Sequence, residues 1–383
     1  MNILIVCHYG LYENLSFSYV HAQAKAYAAL GHQTHVVIPI AVGKSRNRRR
    51  FFPMHQYEMV DGVHLHYIRH ISLSNYGKKH FNTASAKLAV RAHCKALLKQ
   101  FTPDVIHANT FGFDSSIGVM LKEITGCPLV VTTHGSDVSI PYAQGKTAYI
   151  KACSEHVDTV VAVSSALAGK VKNSGVDIPV TSILNGFYLR NVPARLEKKP
   201  LSLLQVGNLL AQKKVDVTIR AYAKIRERFP EATLTIIGRG PERENLENLC
   251  RELGVQDGVT FTGQLSNDRV LEEMAKAQFF AMPSVREGFG IVYIEAMACG
   301  CVTVGTQGEG IADLIVSGEN GFLVPPNDPE AIASVIFRCL DNSAMLHAIA
   351  ARGQEAARAL TWEKNAEQFV ALFQALIERK TKT

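Results

Sequence analysis

The stretch Pro283-Ser284-Val285-Arg286-Glu287-Gly288-Phe289-Gly290-Ile291-Val292-Tyr293-Ile294-Glu295-Ala296-Met297-Ala298-Cys299-Gly300 decides the reading of this chain. With the apolar residues from Gln278 onward it predicts a buried strand ending at Pro283, a glycine-rich turn, and a helix beginning near Phe289. Helical spacing then places Glu295 on one face with Gly288, Ile291 and Val292, so Glu287 and Glu295 border one cleft. Between them, Gly288-Phe289-Gly290 offers backbone N–H groups at the positive end of a helix dipole, which suits a diphosphate. A carboxylate on either side of an anion site fits a ligand with phosphates in the middle and hydroxyls at both ends. A nucleotide diphosphate sugar has that shape.

Outward from this stretch, the chain is long enough for two domains: 383 residues, of which 47% are aliphatic or aromatic. Short apolar runs alternate with helical patterns, the mark of parallel sheets covered by helices. Strands are expected at Ile3–Val6, Gln33–Ile38, 104–107, Leu129–Thr133 and Thr159–Val163. Helices are expected at 18–30, 84–100, 115–125, 148–156 and 165–173. A charged segment ending at Pro200 marks a boundary, after which Leu203–Val206 restarts the pattern and enters the turn Gly207-Asn208. Further strands are read at Leu234–Ile237, Val259–Phe261, Val302–Val304 and Gly321–Val324, with helices at 217–229 and 243–253. Three helices, at 329–340, 343–360 and 361–380, close the chain, and the last carries its only tryptophan, Trp362. The expected division is residues 1–187, a linker at 188–200, a second domain at 201–361, and a terminal helix at 362–383.

Glu-Gly-Phe-Gly, a second Glu eight residues after the first, and Ala-Met-Ala-Cys-Gly resemble the signature of the retaining family-four glycosyltransferases of the GT-B fold. The resemblance implies two Rossmann-like domains facing a cleft, with the C-terminal helix crossing back to the first domain. It implies that Glu287 meets hydroxyls of the donor sugar, Glu295 the ribose, and the turn Gly288-Phe289-Gly290 the phosphates. Val206-Gly207-Asn208 through Lys214 resembles the family's strand-turn stretch, in which Lys213 matches the phosphate-binding lysine. Asn208 stands where the family carries an arginine; Arg239 or Lys214 could supply the missing cation, and Asn208 can still donate a neutral hydrogen bond. His134, in His134-Gly135-Ser136-Asp137 at the end of a strand, matches a histidine beside the donor sugar and reacting carbon. Asp137 either orients it or meets the acceptor. Gly10 falls in the loop that the family places near the phosphates and acceptor, and Gln307-Gly308-Glu309-Gly310 matches a turn close to the donor.

The implied reaction moves a sugar from a nucleotide diphosphate sugar to an acceptor hydroxyl, retaining the anomeric configuration. Lys213 and the turn amides would stabilise the departing diphosphate. A sugar-nucleotide epimerase of the same fold and a non-catalytic nucleotide-sugar-binding protein remain as alternatives. No Asp-x-Asp pair occurs, so no tightly held metal is expected, a weakly bound one stays open, and no tightly bound cofactor is expected. Gly238-Arg239-Gly240 lacks the third glycine of a dinucleotide fingerprint.

The net charge of +7 is concentrated in Lys44-Ser45-Arg46-Asn47-Arg48-Arg49-Arg50. This cluster could meet anionic membrane or an acidic acceptor, or be a solvated loop; no nucleic-acid signature accompanies it. It motivates a glycan or lipid-linked acceptor, in cell-envelope or exopolysaccharide synthesis. The N-terminus reads as a first strand rather than a signal peptide, and no apolar run is long enough to span a membrane. The eight cysteines form no metal spacing and read as reduced thiols of a cytoplasmic protein, at most peripheral to the inner face of the membrane.

Overall fold

A computed structural model describes residues 1–8, 19–42, 54–72, 79–188, 192–193 and 196–381. Gly10 and the cluster at Arg46, Arg48, Arg49 and Arg50 lie outside the described residues. The chain divides into one unit formed by Met1–Leu184 with Trp362–Thr383 and a second formed by Asn185–Thr361.

The first unit is built on β1 (Asn2–Val6), α1 (Tyr19–Ala29), β2 (Gln33–Val42), β3 (His55–Val60), β4 (Val63–Ile71), α2 (Lys79–Leu97), β5 (Val105–Ala108) and α3 (Phe113–Thr125). It continues through β6 (Leu129–Thr133), α4 (Ser136–Ala143), α5 (Thr147–Ser154), β7 (Thr159–Ala162), α6 (Ser165–Lys172) and β8 (Val180–Ser182). The strands lie in the order β3-β4-β2-β1-β5-β6-β7-β8. All neighbours are parallel except β3 and β4. Ile3, Leu4, Ile5 and Val6 are fully buried, as a central parallel strand covered on both faces requires.

The β3–β4 pair departs from the strand-helix alternation read in the sequence. It is an antiparallel hairpin closed by Asp61 and Gly62, both at positive φ (52° and 79°), the conformation favoured by tight two-residue turns. Its inner face joins β2 and α2 through stacked histidines. His35 Nδ1 and His66 Nε2 lie 2.9 Å apart, His66 Nδ1 and His93 Nε2 3.2 Å apart, and the rings of His35 and His64 stack at 4.2 Å.

The second unit carries β9 (Lys199–Val206), α7 (Val215–Arg228), β10 (Thr233–Ile237), α8 (Arg243–Glu252), β11 (Val259–Gly263), α9 (Asn267–Lys276) and β12 (Ala277–Ala281). After these come α10 (Ile291–Ala298), β13 (Val302–Thr306), β14 (Phe322–Val324), α11 (Pro329–Asp341) and α12 (Ser343–Arg358). Its parallel sheet runs β11-β10-β9-β12-β13-β14. Lys199 and Pro200 already belong to β9. Asp328 and Asn342 cap α11 and α12 by accepting from Ala331 N (2.9 Å) and Met345 N (3.0 Å).

The last helix, α13 (Trp362–Thr381), returns to the first unit and packs on α1. Buried Gln23 donates to Asn365 Oδ1 at 2.8 Å, Asn365 donates to the Leu184 carbonyl at 2.7 Å, and Tyr27 packs against Phe369 and Phe373. Trp362, Phe369 and Phe373 are buried, so the helix completes this unit's core. All eight cysteines are free thiols.

Candidate functional site

Because β10, β9, β12 and β13 are adjacent and parallel, the four loops leaving their carboxyl ends lie side by side, where open α/β sheets hold ligands. These loops carry Gly207 and Asn208, Gly238 to Gly240, Pro283 to Gly290, and Gln307 to Gly310. They are joined at backbone distance. A Cβ on Gly238 would sit 1.9 Å from the Gly207 carbonyl oxygen, and one on Gly310 2.0 Å from that of Gly288. Both positions therefore exclude any side chain.

Lys213 is placed by a short 3-10 turn over Ala211–Lys213. Its carbonyl accepts from Gln205 Nε2 at 2.9 Å, and the Gln212 carbonyl accepts from Val285 N at 2.9 Å, tying this turn to the loop after β12. The Lys213 ammonium donates to the Glu287 carboxylate, and both side chains are about four-fifths shielded from solvent. Two residues chosen separately from sequence are thus brought into one ion pair.

Glu309 entered the sequence reading only as part of the turn Gln307-Gly308-Glu309-Gly310, with no role of its own, yet it shapes the same loop. Its Oε1 accepts from Arg286 N at 2.8 Å and its Oε2 from Glu287 N at 2.9 Å. Arg286 takes a positive φ of 62°, so the carboxylate holds a backbone conformation that a non-glycine residue adopts at a cost. The segment at 307–310 forms a turn leading into a short 3-10 segment, Gly310–Asp313.

Gly290, at φ 83°, caps α10, whose first N–H groups have no partners within the helix. The Phe289 ring is buried, so its backbone is the part of the residue open to a ligand. Glu295 lies half-buried one turn into α10, and burial pushes its carboxyl up to about 7. Arg239 is exposed on the loop after β10, and its carbonyl accepts from Leu209 N at 2.9 Å, which sets it beside exposed Asn208. Lys214 begins α7 with a φ of 51°.

In the first unit, β6 delivers His134. Its Nε2 lies 3.3 Å from Asn109 Oδ1, its ring packs on Tyr19 at 4.2 Å, and its Nδ1 is buried without a partner. Burial lowers its pKa to about 3, so the imidazole is neutral at ordinary pH. Asp137 does not hold the ring. It accepts from the backbone N–H groups of His134 (3.2 Å), Gly135 (3.0 Å) and Phe111 (3.2 Å), fixing the turn itself. Burial nevertheless raises the Asp137 pKa.

A cavity of about 1200 Å³ opens within this unit, walled by Ile38, Phe113 and Ile140 and by the polar His8, Lys87 and Asp137. His8, at the end of β1, hydrogen-bonds through Nδ1 to Asp114 Oδ1 at 2.7 Å, and the Thr110 hydroxyl donates to Asp114 Oδ2 at 2.9 Å. Asp114 is fully buried on α3. No sequence signal joins two residues 106 positions apart. Among the described residues, no group of three or more His, Cys, Asp or Glu could hold a metal ion.

Residues 190–356 match the family profile of the glycosyl transferases group 1, and residues 17–190 that of glycosyltransferase family 4. An uncharacterized glycosyltransferase of Methanocaldococcus jannaschii is 30% identical over 318 residues, covering 76% of this chain and 79% of the relative. A solved sucrose-phosphate synthase from Thermosynechococcus elongatus superposes with a TM-score of 0.78 at 22% identity, covering 99% of this chain and 100% of its own. The Anabaena protein HepE, in complex with UDP and glucose, superposes with a TM-score of 0.73 at 20% identity, covering 98% of this chain and 100% of its own. At these identities the two structures speak for the fold alone.

Proposed function

The chain belongs to the group 1 glycosyltransferases and has their GT-B fold, and from that premise we propose that it moves a sugar from a nucleotide diphosphate sugar to a hydroxyl acceptor with retention at the anomeric carbon. The observation that carries this reading is the Lys213–Glu287 pair beside the glycine turn at the start of α10. A carboxylate at that point accepts hydrogen bonds from sugar hydroxyls, while the ammonium and the turn amides neutralise charge as the diphosphate leaves. Glu295, farther along α10, is the ribose ligand. Arg239, beside Asn208, supplies the second cation of the leaving-group site. His134, being neutral, serves as a hydrogen-bonding partner of the donor sugar rather than as an acid.

For the acceptor we propose a glycan or lipid-linked glycan of cell-envelope or exopolysaccharide assembly, met by the first unit. Among the described residues no single helix is long and apolar enough to cross a membrane. Membrane contact would rest on Arg46, Arg48, Arg49 and Arg50.

The test is a thermal-shift panel of nucleoside diphosphates and their sugars, beginning with UDP, on the wild type and Glu295→Ala. One nucleotide class is expected to raise the wild-type melting temperature and to lose that effect in the variant. The anomeric configuration of the product, followed by NMR, then decides retention; inversion would overturn it. Turnover of the donor without any acceptor would favour an epimerase, and no shift with any nucleotide would favour neither enzyme.

A further inference from the structure

We propose that the outward face of α2 docks on an anionic lipid bilayer. The inference rests on the lipid-linked acceptor proposed above and gives it a surface that the structure describes. Three observations carry it. First, Ala86, Val90 and Cys94 turn one face of α2 into the core, and the opposite face carries Phe81, Ala84, Leu88 and Ala92. Their spacings of three, four and four make a single stripe along the helix, and all four are exposed, Leu88 to 72%. A surface helix ordinarily turns polar residues outward.

Second, the stripe is set among cations that have no carboxylate near them in sequence. Arg91 and Lys95 are exposed on the same side of α2. Residues 62–103 hold seven lysines and arginines and no Asp or Glu, so nothing at helical spacing neutralises them. Third, the apolar surface continues beyond the helix. Tyr57 and Met59 are exposed on β3, on the face that also bears His55, whose ring lies 5.4 Å from that of His93 on α2. On the other flank, Asn82, Thr83, Ala84 and Lys87 wall the cavity of about 1200 Å³, so Ala84 belongs both to the stripe and to the cavity wall.

Charge selects the occupant. A bilayer with acidic headgroups receives apolar side chains at its acyl boundary and pairs its phosphates with the cations beside them, as for helices that lie in a membrane interface. A second copy of this chain would bring the same positive charge to the face, and like charges would oppose the contact. Docked on lipid, α2 brings the cavity wall at Ala84 to the membrane surface, where a lipid-linked acceptor presents its glycan.

The experiment is cosedimentation of the full chain with vesicles of phosphatidylcholine alone and of phosphatidylcholine mixed with phosphatidylglycerol, for wild type, Leu88→Gln and the double variant Arg91→Gln with Lys95→Gln. All three side chains are exposed, so folding should be unchanged, and the melting temperature checks it. The wild type is expected to bind the mixed vesicles but not the neutral ones, and to come off at about 1 M salt, where the screening length falls to about 3 Å. The double variant is expected to bind about 25-fold more weakly, at about fivefold per cation. Leu88→Gln is expected to bind about tenfold more weakly. Equal binding to neutral vesicles, no binding to mixed ones, or variants within about twofold of wild type would each overturn the proposal. So would a wild-type dimer that ignores vesicles and becomes monomeric with Leu88→Gln, which would make the occupant a second copy. Thermal shift by a panel of nucleoside diphosphates, read on the same samples, keeps the two readings apart: its absence counts against the transferase, while the vesicle result judges α2 alone.

Discussion

Replacing Glu295 with Gln separates the stability of the second unit from its ligand binding. Burial pushes this carboxyl up to about 7 from an ordinary 4.5, and no donor among the described residues offsets the loss of water. In the unfolded chain it ionises near its ordinary value. Between the two values the folded state holds a proton that the unfolded state has released, so stability falls as pH rises through this window. The fall is complete above about 7. The gap corresponds to about 3 kcal/mol at one pKa unit per 1.36 kcal/mol. Glu295→Gln has nothing to ionise, so it should match the wild type near the acid end of the window and exceed it by about 3 kcal/mol at pH above 7. Above the window the same variant should show a smaller nucleotide-induced shift than the wild type, because one neutral amide oxygen replaces a charged carboxylate that accepts from the ribose hydroxyls through two oxygens. Scanning calorimetry at both ends of the window, with and without nucleotide, reads both effects. A stability difference that does not change with pH, or a variant less stable than wild type above neutrality, would refute the reasoning.

Other expectations follow from the geometry. Burial lowers the pKa of His35 to about 4 and of His66 and His107 to about 3, so the first unit should weaken as pH falls below the ordinary histidine value. At pH 5 the loss is roughly 2 kcal/mol per histidine. Trp362, buried in that unit, reports it by fluorescence in urea, and an unchanged midpoint between pH 7 and 5 would contradict it. Lys213→Ala should lower kcat by about 10² to 10³ with a much smaller change in donor KM, read as nucleoside diphosphate release; a change below about threefold would remove Lys213 from the leaving-group site. Glu309→Ala frees the N–H groups of Arg286 and Glu287 and should destabilise the second unit by about 1–3 kcal/mol while raising donor KM. If melting temperature and KM both stay put, Glu309 does not shape the donor loop.

The sequence made the loop after β12 legible because its parts are contiguous: strand, glycine turn and both carboxylates fall within residues 277–300. Long-range pairing was not legible. Lys213 was picked out through the family resemblance and Glu287 from the glycine-rich turn, but their contact spans 74 positions, and nothing in the spacing announced it. Glu309 reaches back 22 positions to the backbone of Glu287, where the partner has no side-chain identity to read. Many helix-forming stretches and buried strands were visible through their apolar period, but buried β4, whose run Val63–Ile71 is interrupted by His64, His66, Arg69 and His70, was not, and neither were α4 and α9. The β3 strand was not, because His55–Val60 leaves most of its side chains exposed or half-exposed and so shows little apolar alternation. Its turn, Asp61-Gly62, was the one local signal available.

The most direct test is acceptor-dependent release of nucleoside diphosphate from a panel of sugar nucleotides, compared between the wild type and Glu287→Ala. The account predicts release from one donor class, dependent on a glycan acceptor and lost in the variant. Release from no donor, or undiminished release by Glu287→Ala, would contradict it.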